Sequence, residues 1–454
     1  MRKRNLFLWG IVSFLLLFVS SPVPGAGFID HVSVHLLDNG MRVILLENHK
    51  APMVTFQVWF QAGSRNDWWG KTGLAHVFEH LMFKGTKQVS REEFSRKIEE
   101  IGGDYNAFTS HDFAAYFENV ASENIEIPIR LEADRLQNLG FTEEEFKTEK
   151  MVVMEERRLR TQDQPQALLM EQVAATAFQS QPYRWPVIGW MGDLERVDHD
   201  DAVRFYQSFY DPANGIIVVV GDFQKDKILP LISDAFGRIP SKGKPEHYLY
   251  QDAPQLGERR VAVNRTTPGL PYVVVAYHVP NLRDSDSYAL EVVSAILSSG
   301  KSSRLYENLV RGKRLAVSAG ADYSLLSIDP SLFYFYAEPL PGKEISQLEA
   351  AIYAEIEKLQ SEPVSPRELE KAKNQLEASF TFGQDSLFYQ GLLLARYELV
   401  STWKDIAKYI PAIRAVSAED VTQVARKYFL SRNRTVGLLL PEDGPETTKE
   451  RKGN

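Results

Sequence analysis

Apolar positions along this chain follow two periods. Val54, Phe56 and Val58 in MVTFQVWFQAGSRND stand two apart, the spacing of a strand with two distinct faces. In REEFSRKIEEIGG and PRELEKAKNQLEASF the apolar residues fall three and four apart, the spacing of helices. The order of these elements recurs. The strand MVTFQVWFQAGSRND leads into a helix around GLAHVFEHLMF, and the strand YVVVAYHVPNLRDSD leads into YALEVVSAILSS. Residues 198–223 and 417–443 each read as a capped helix with an aromatic pair near its end, a polar turn with Asn, and an apolar strand. Setting Asp201 against Asp420 places Tyr210 on Phe429 and Asn214 on Asn433, a single constant offset. The pattern predicts an α+β chain of two homologous domains, each a mainly antiparallel β-sheet packed with α-helices.

Between the copies, GRIPSKGKPEHYLYQDAPQLGERR is rich in Gly, Pro and charge, the composition of a linker. The boundary is placed near residue 245, giving domains over 28–245 and 246–442. The last residues, 443–454, have little to bury and are expected to be disordered. At the other end, MRKRN is basic, LFLWGIVSFLLLFV is apolar, and SSPVPGAG supplies small residues for a peptidase cut. A signal peptide over 1–26 is the expectation, with an uncleaved membrane anchor as the alternative. Cleavage near Ala26 would remove Arg2, Lys3 and Arg4 and take the formal charge from −8 to −11. The mature chain is then exported, periplasmic and soluble.

With 454 residues the chain is too long for one ordinary core. A charge of −8 argues against a nucleic-acid partner, because phosphate backbones are held by clustered Lys and Arg. The absence of cysteine excludes disulfides, thiolate metal sites and cysteine nucleophiles together. Any metal must be held by His, Asp or Glu.

The segment HVFEH offers two of these. Residues four apart on a helix stand one turn above each other, so His76 and His80 can aim two imidazoles at one point, which suits zinc. Glu79 borders the same face and can take a proton from an activated water without being a ligand. A lone histidine on such a helix is more often a core or surface residue. Two at this spacing with the glutamate between them, in a chain with nine histidines, reverse that judgement.

Zinc hydrolases carry a third protein ligand and one open position. In FTEEEFKTEKMVVMEERRLR, Thr142 and Glu145 form a capping-box start, and the helix runs on past Arg158. Glu149 and Glu156, seven apart, share a face, while Glu155 points about 100° away. Glu156 is therefore the candidate ligand, and Glu149 the carboxylate behind it that orients it or a histidine.

These stretches resemble the pitrilysin or insulin-degrading type of zinc metallopeptidase, which carries the inverted HxxEH motif. GGDYNAFTSHDFAAYF, YRWPVIGWMGDL and FYDPANGIIVVVGDF add to the likeness, which covers nearly the whole mature chain. The resemblance implies a zinc endopeptidase acting on short or unfolded peptides, one zinc per chain, with Glu79 as general base and Glu149 in support. It also implies that GGDYNAFTS is an edge strand to which an extended substrate adds, touching Asn106 and Ala107. On residue type alone, Asn106 is more often a turn residue.

Active members usually complete the site with an Arg and a Tyr from a distant domain. Aligning LAV (315–317) with the family's LAY puts Val317 where the tyrosine stands and Val310 where the arginine stands. Either Arg311, Arg314 or Tyr323 substitutes, or the pair comes from a homologous subunit in a heterodimer, with a homodimer also open. The competing reading is a non-catalytic structural or assembly subunit of the same fold. A peptide-binding module without turnover is a third. Intact His76, Glu79, His80 and Glu156 speak for the enzyme. Among other polar residues, His111 is expected as an exposed strand residue and His199 as a helix cap. Trp68 and Trp69 are expected to wall a cavity or to pack under their loop.

Overall fold

Strand β6 (Gly215–Gly221, GIIVVVG) is buried at every position, so it must lie between two covering layers. The computed structural model describes residues 27–265 and 271–441. The expected signal segment 1–26 and tail 443–454 lie outside the described residues. Among the described residues no helix is long and apolar enough to cross a membrane.

β6 runs parallel to β2 (Arg42–Glu47) and antiparallel to β3 (Met53–Phe60). With β1 (Val32–Leu36), β5 (Ala114–Ala121) and β4 (Asp104–Thr109) they form a six-stranded sheet, ordered β1-β2-β6-β3-β5-β4. The second sheet uses β7 (Arg259–Arg265), β8 (Tyr272–Val279), β9 (Ala316–Asp322), β10 (Ser331–Pro339) and β11 (Arg434–Pro441), ordered β7-β11-β8-β10-β9. Apart from β1, the two sheets match strand for strand. In each, one parallel pair, β2 with β6 or β7 with β11, is followed by antiparallel neighbours. The chain is thus α+β, with two homologous domains each built on a mainly antiparallel sheet packed with helices.

The constant sequence offset has a geometric cause. Helices His199–Phe209 and Ala418–Tyr428 both start in capping boxes, Asp198 with Asp201 and Ser417 with Asp420. Past each helix an asparagine side chain ties its end to a strand. Asn214 donates to the carbonyls of Phe209 (2.7 Å) and Gln61 (3.2 Å), and Asn433 to those of Tyr428 (2.8 Å) and His278 (3.0 Å). The cap on the first of these helices is Asp198 rather than His199, whose ring reaches the Phe141 carbonyl at 3.3 Å.

Each domain also lends a helix to the other. Leu387–Val400 packs on β3 and β6, and Pro165–Ala177 packs on β7, β8 and β11. Close approach is set by two glycines. A Cβ on Gly391 would stand 2.5 Å from Gln57 Nε2, and one on Gly437 2.3 Å from Val173 Cγ2. Gln57 is accordingly buried although it faces away from Val54, Phe56 and Val58, and it donates to the Phe388 carbonyl at 3.1 Å. One continuous core results, holding Ile44, Trp59 and Val218 with Val275 and Leu393.

Residues 240–258 contain no helix or strand, but they are fastened at several points. Asp252 accepts from the backbone N–H groups of Gln179, Ser180 and Gln181 at 2.6–2.9 Å. His247 Nε2 meets Asn214 Oδ1 at 2.7 Å. Arg65 donates to the Tyr248 carbonyl (2.6 Å) and, fully buried, to Asp329 (2.7 Å) of the second domain.

Candidate metal centre

Asp67 organises the start of the helix Leu74–Leu81, accepting from the N–H groups of Gly73 (2.7 Å) and Ala75 (2.9 Å). Leu74, Ala75, Val77, Phe78 and Leu81 are buried in the first domain, which leaves His76, Glu79 and His80 on the opposite side of the helix. Facing them is the helix Glu143–Arg157, which begins in the expected Thr142–Glu145 capping box. Its inward positions are Phe146, Glu149, Val153 and Glu156, while Glu155 is exposed and paired with Arg158.

The two helices bring three donors together. His76 Nε2 lies 3.9 Å and His80 Nε2 3.5 Å from Glu156 Oε2, and the ligand atoms of all three residues fall within 4.8 Å of one another. Ligands bound at zinc distances in a tetrahedral set stand roughly 3.3–3.5 Å apart, so small side-chain movements close this site around an ion. The imidazoles meet almost edge to face, at 84° with centroids 5.1 Å apart, which directs both rings at the shared point. His80 Nδ1 donates to Glu149 Oε2 at 3.2 Å, so its Nε2 lone pair is the one left for a metal. His76 Nδ1 is buried without a hydrogen-bond partner among the described residues. Two imidazoles and one carboxylate form a donor set that fits zinc.

Burial, with His80 beside it, lowers the pKa of His76 to about 3, which keeps it neutral as a ligand must be. Burial also pulls His80 down, but the bond to Glu149 and the carboxylates of Glu79 and Glu156 outweigh it and the net shift is upward. The same bond to His80, with Lys84 at 2.5 Å, holds Glu149 down to about 2. Burial raises Glu79. Its carboxylate accepts from the Thr109 hydroxyl at 2.5 Å.

Thr109 is the last residue of β4, and β4 is an edge strand of its sheet. Asn106 on that strand is exposed and Ala107 half-buried. Sequence reasoning did not reach Thr109, because nothing local ties it to a helix thirty residues earlier. Lys84 and Arg160 were within reach: they follow His80 and Glu156 by four residues, and Arg160 pairs with Glu156 Oε1 at 2.6 Å.

Tyr323 and Arg311 bond within the second domain. Tyr323 is buried and donates to the Pro280 carbonyl at 2.6 Å, and Arg311 is exposed and pairs with Glu307 at 3.1 Å. Arg314 has a positive φ of 49°. Val310 packs on the continuous core shared by the two sheets, and Val317 is exposed on β9. His111 sits in the turn between β4 and β5, half-buried with its ring 3.3 Å from the Trp185 carbonyl, not on an exposed strand. Trp68 packs on Phe205 beneath its loop, whereas Trp69 is exposed and meets Trp185 edge-on.

Family profiles and known proteins match most of this chain. The family profile described as "Insulinase (Peptidase family M16)" matches residues 42–189, and that described as "Peptidase M16 inactive domain" matches 196–376. The zinc protease PqqE of Helicobacter pylori is 32% identical over 439 residues, covering 96% of this chain and 98% of that protein. The probable mitochondrial-processing peptidase subunit beta of Arabidopsis thaliana is 27% identical, covering 92% and 80%. A crystal structure of a protease from Helicobacter pylori superposes with a TM-score of 0.87 at 32% identity, over 90% of this chain and 99% of that one. The first half of the periplasmic protease PqqL from Escherichia coli shares the fold, with a TM-score of 0.74 at 18% identity over 90% and 92%.

Proposed function

The chain belongs to the insulinase (M16) family of peptidases, and from that premise we propose that it is an exported zinc endopeptidase cleaving short or unfolded peptides. His76, His80 and Glu156 hold the zinc, Glu79 is the general base, and Glu149 positions His80. The observation that carries this reading is the convergence of the three donors beside a buried glutamate that is itself bonded to the edge strand.

Zinc in this site supplies a Lewis acid that makes water acidic and polarises a peptide carbonyl. Glu79 accepts the proton of the attacking water and returns it to the leaving amine, a role its burial favours by raising its proton affinity. Thr109 holds Glu79 in place. An extended peptide adds to the free side of β4, passing Asn106 and Ala107, so the strand that binds the chain also fixes the base.

We place the division between the domains near residue 245, inside the segment 240–258. Export rests on the basic and then apolar pattern of residues 1–26. On the alignment that the resemblance implies, Val310 and Val317 take the places of the family's Arg and Tyr; Arg311 and Tyr323 bond within the second domain, and Arg314, the other candidate in this chain, could supply only one of the pair. A homologous subunit is therefore expected to supply that pair. Oxyanion donors of this kind are worth about 10²–10³ in rate. The competing reading, a scaffold subunit, draws on the same two valines but leaves the intact zinc set without a purpose.

Metal analysis and cleavage of an unstructured peptide, with and without a companion co-purified from the exported fraction, test the proposal. The wild-type chain should carry one zinc, and Glu79→Gln should keep it while losing about 10²–10⁴ in rate. A chain without zinc, or a Glu79→Gln variant as active as wild type, would overturn the proposal.

A further inference from the structure

The second domain repeats the two helices that build the metal centre, and the corresponding place in it is a cavity. Asp286–Ser298 is the counterpart of the HxxEH helix and Pro366–Gly383 that of Glu143–Arg157: each follows the same strands in the same order, and each pair packs together. Two landmarks fix the registers. Gly85 and Gly300, both at positive φ, close the first pair; nine residues before them stand His76 and Glu291, and five before them His80 and Ala295. Thr142 and Ser365 cap the second pair through bonds from Glu145 and Glu368; fourteen residues beyond the caps stand Glu156 and Ser379. Glu291 and Ser379 both line one cavity of about 250 Å³.

The metal donors are gone from this copy, and a different chemistry has replaced them. Among the described residues Glu291 Oε2 is buried without a hydrogen-bond partner, and Oε1 has a long contact from the Tyr409 hydroxyl at 3.5 Å. Arg396, in the same wall, donates to the Leu326 carbonyl at 3.0 Å and, at 3.5 Å, to the Ser324 hydroxyl, while its Nε is buried without a partner among the described residues. Tyr323, Tyr389, Tyr397 and Tyr409 surround them, with Leu392 and Leu393. Exposed Ser324 and Ser379 mark the opening to solvent.

Glu291 and Arg396 are the charged residues that line the cavity, opposite in sign and, among the described residues, not joined in an ion pair. A cation alone would meet Arg396, and an anion alone would meet Glu291. A molecule carrying both charges satisfies both groups: its ammonium donates to Glu291 beside tyrosine faces, and its carboxylate accepts from Arg396. The volume lies below the roughly 300–1,000 Å³ of sites for drug-sized ligands, which limits the guest to one or two residues. Burial, reinforced by Asp322, outweighs the Tyr409 hydroxyl and Arg396 and pushes Glu291 up to about 7. We propose that this cavity binds a small zwitterion of the α-amino-acid class, a free amino acid or dipeptide with an apolar side chain. The site stands apart from the zinc centre, so the inference does not rest on peptidase activity.

Calorimetric titration of the full chain with leucine, Leu-Leu, N-acetyl-leucine and leucinamide tests it. One or both zwitterions should bind, and the tighter of the two identifies the guest. The acetylated and amidated compounds, each lacking one charge, should bind at least about tenfold more weakly. Glu291→Gln should weaken binding by a similar factor, and Ser379→Trp, placed at the exposed mouth, should block it, while His76→Ala should leave it unchanged. Unaltered far-ultraviolet circular dichroism and a cooperative melt in the Glu291 and Ser379 variants verify that they fold. No binding of either zwitterion at millimolar concentration, equal binding of the single-charge compounds, or loss in His76→Ala with retention in Glu291→Gln would overturn the proposal.

Discussion

Replacing Glu149 by glutamine is expected to weaken zinc binding while leaving the fold intact. Its carboxylate, 7% exposed, holds two donors at once: His80 Nδ1 on Oε2 at 3.2 Å and Lys84 Nζ on Oε1 at 2.5 Å. A glutamine of the same shape has one accepting oxygen, so its NH₂ must face either His80 or Lys84. One charge-assisted bond is lost, worth about 1.5–3 kcal/mol. Partners of metal-bound histidines typically contribute about 10–100-fold in affinity, or about 1.4–2.7 kcal/mol, so the two scales agree. Competition with a chromophoric chelator measures the affinity, and melting of the chelated chain checks that stability without metal is preserved. Adding Lys84→Met should recover part of the loss, because the amide oxygen is then free for His80. A Glu149→Gln chain that holds zinc as tightly as wild type would refute the claim that Glu149 orients the ligand.

Thr109→Val removes the hydroxyl bonded to Glu79 while keeping its shape, and should lower kcat/KM by about 10–100-fold with zinc content unchanged, read by steady-state peptide cleavage. Gly437→Ala places a methyl 2.3 Å from Val173 Cγ2 and should destabilise the chain by about 1–3 kcal/mol in urea unfolding without altering metal affinity. His247 is held down to about 4 by burial, with Lys244 and Arg65 adding to the effect. In the unfolded chain it takes up a proton below about 6.5, whereas the folded chain resists until about 4, so its contribution is present above 6.5 and is lost as pH falls through that window. His247→Gln should flatten the loss of stability between pH 6.5 and 4 by about 1–2 kcal/mol, and an unchanged slope would contradict the assignment.

The parts of the fold legible in the sequence are those written in local periods. His76 and His80 share a helix face, and Glu149 and Glu156 share another, because a helix turns every 3.6 residues wherever it sits. The matched capping residues Asp198 and Ser417, with Asn214 and Asn433 beyond them, showed the duplication because each ties a helix to its own neighbourhood. Contacts between distant segments carry no such period. Leu387–Val400 and Pro165–Ala177 are buried against the other domain's sheet, and nothing along either helix names the strand it covers. Thr109 reaches Glu79 only because β4 ends beside the HxxEH helix. Residues 240–258 have a linker's composition, but their attachment depends on which backbone groups Asp252, His247 and Arg65 meet.

The most direct measurement of the central claim is anomalous diffraction at the zinc edge from crystals of the full chain. The account requires one peak bonded to His76 Nε2, His80 Nε2 and a Glu156 oxygen at roughly 2.0–2.2 Å, absent from a Glu156→Ala crystal. A zinc peak elsewhere, or none between these three side chains in zinc-soaked wild-type crystals, would contradict it.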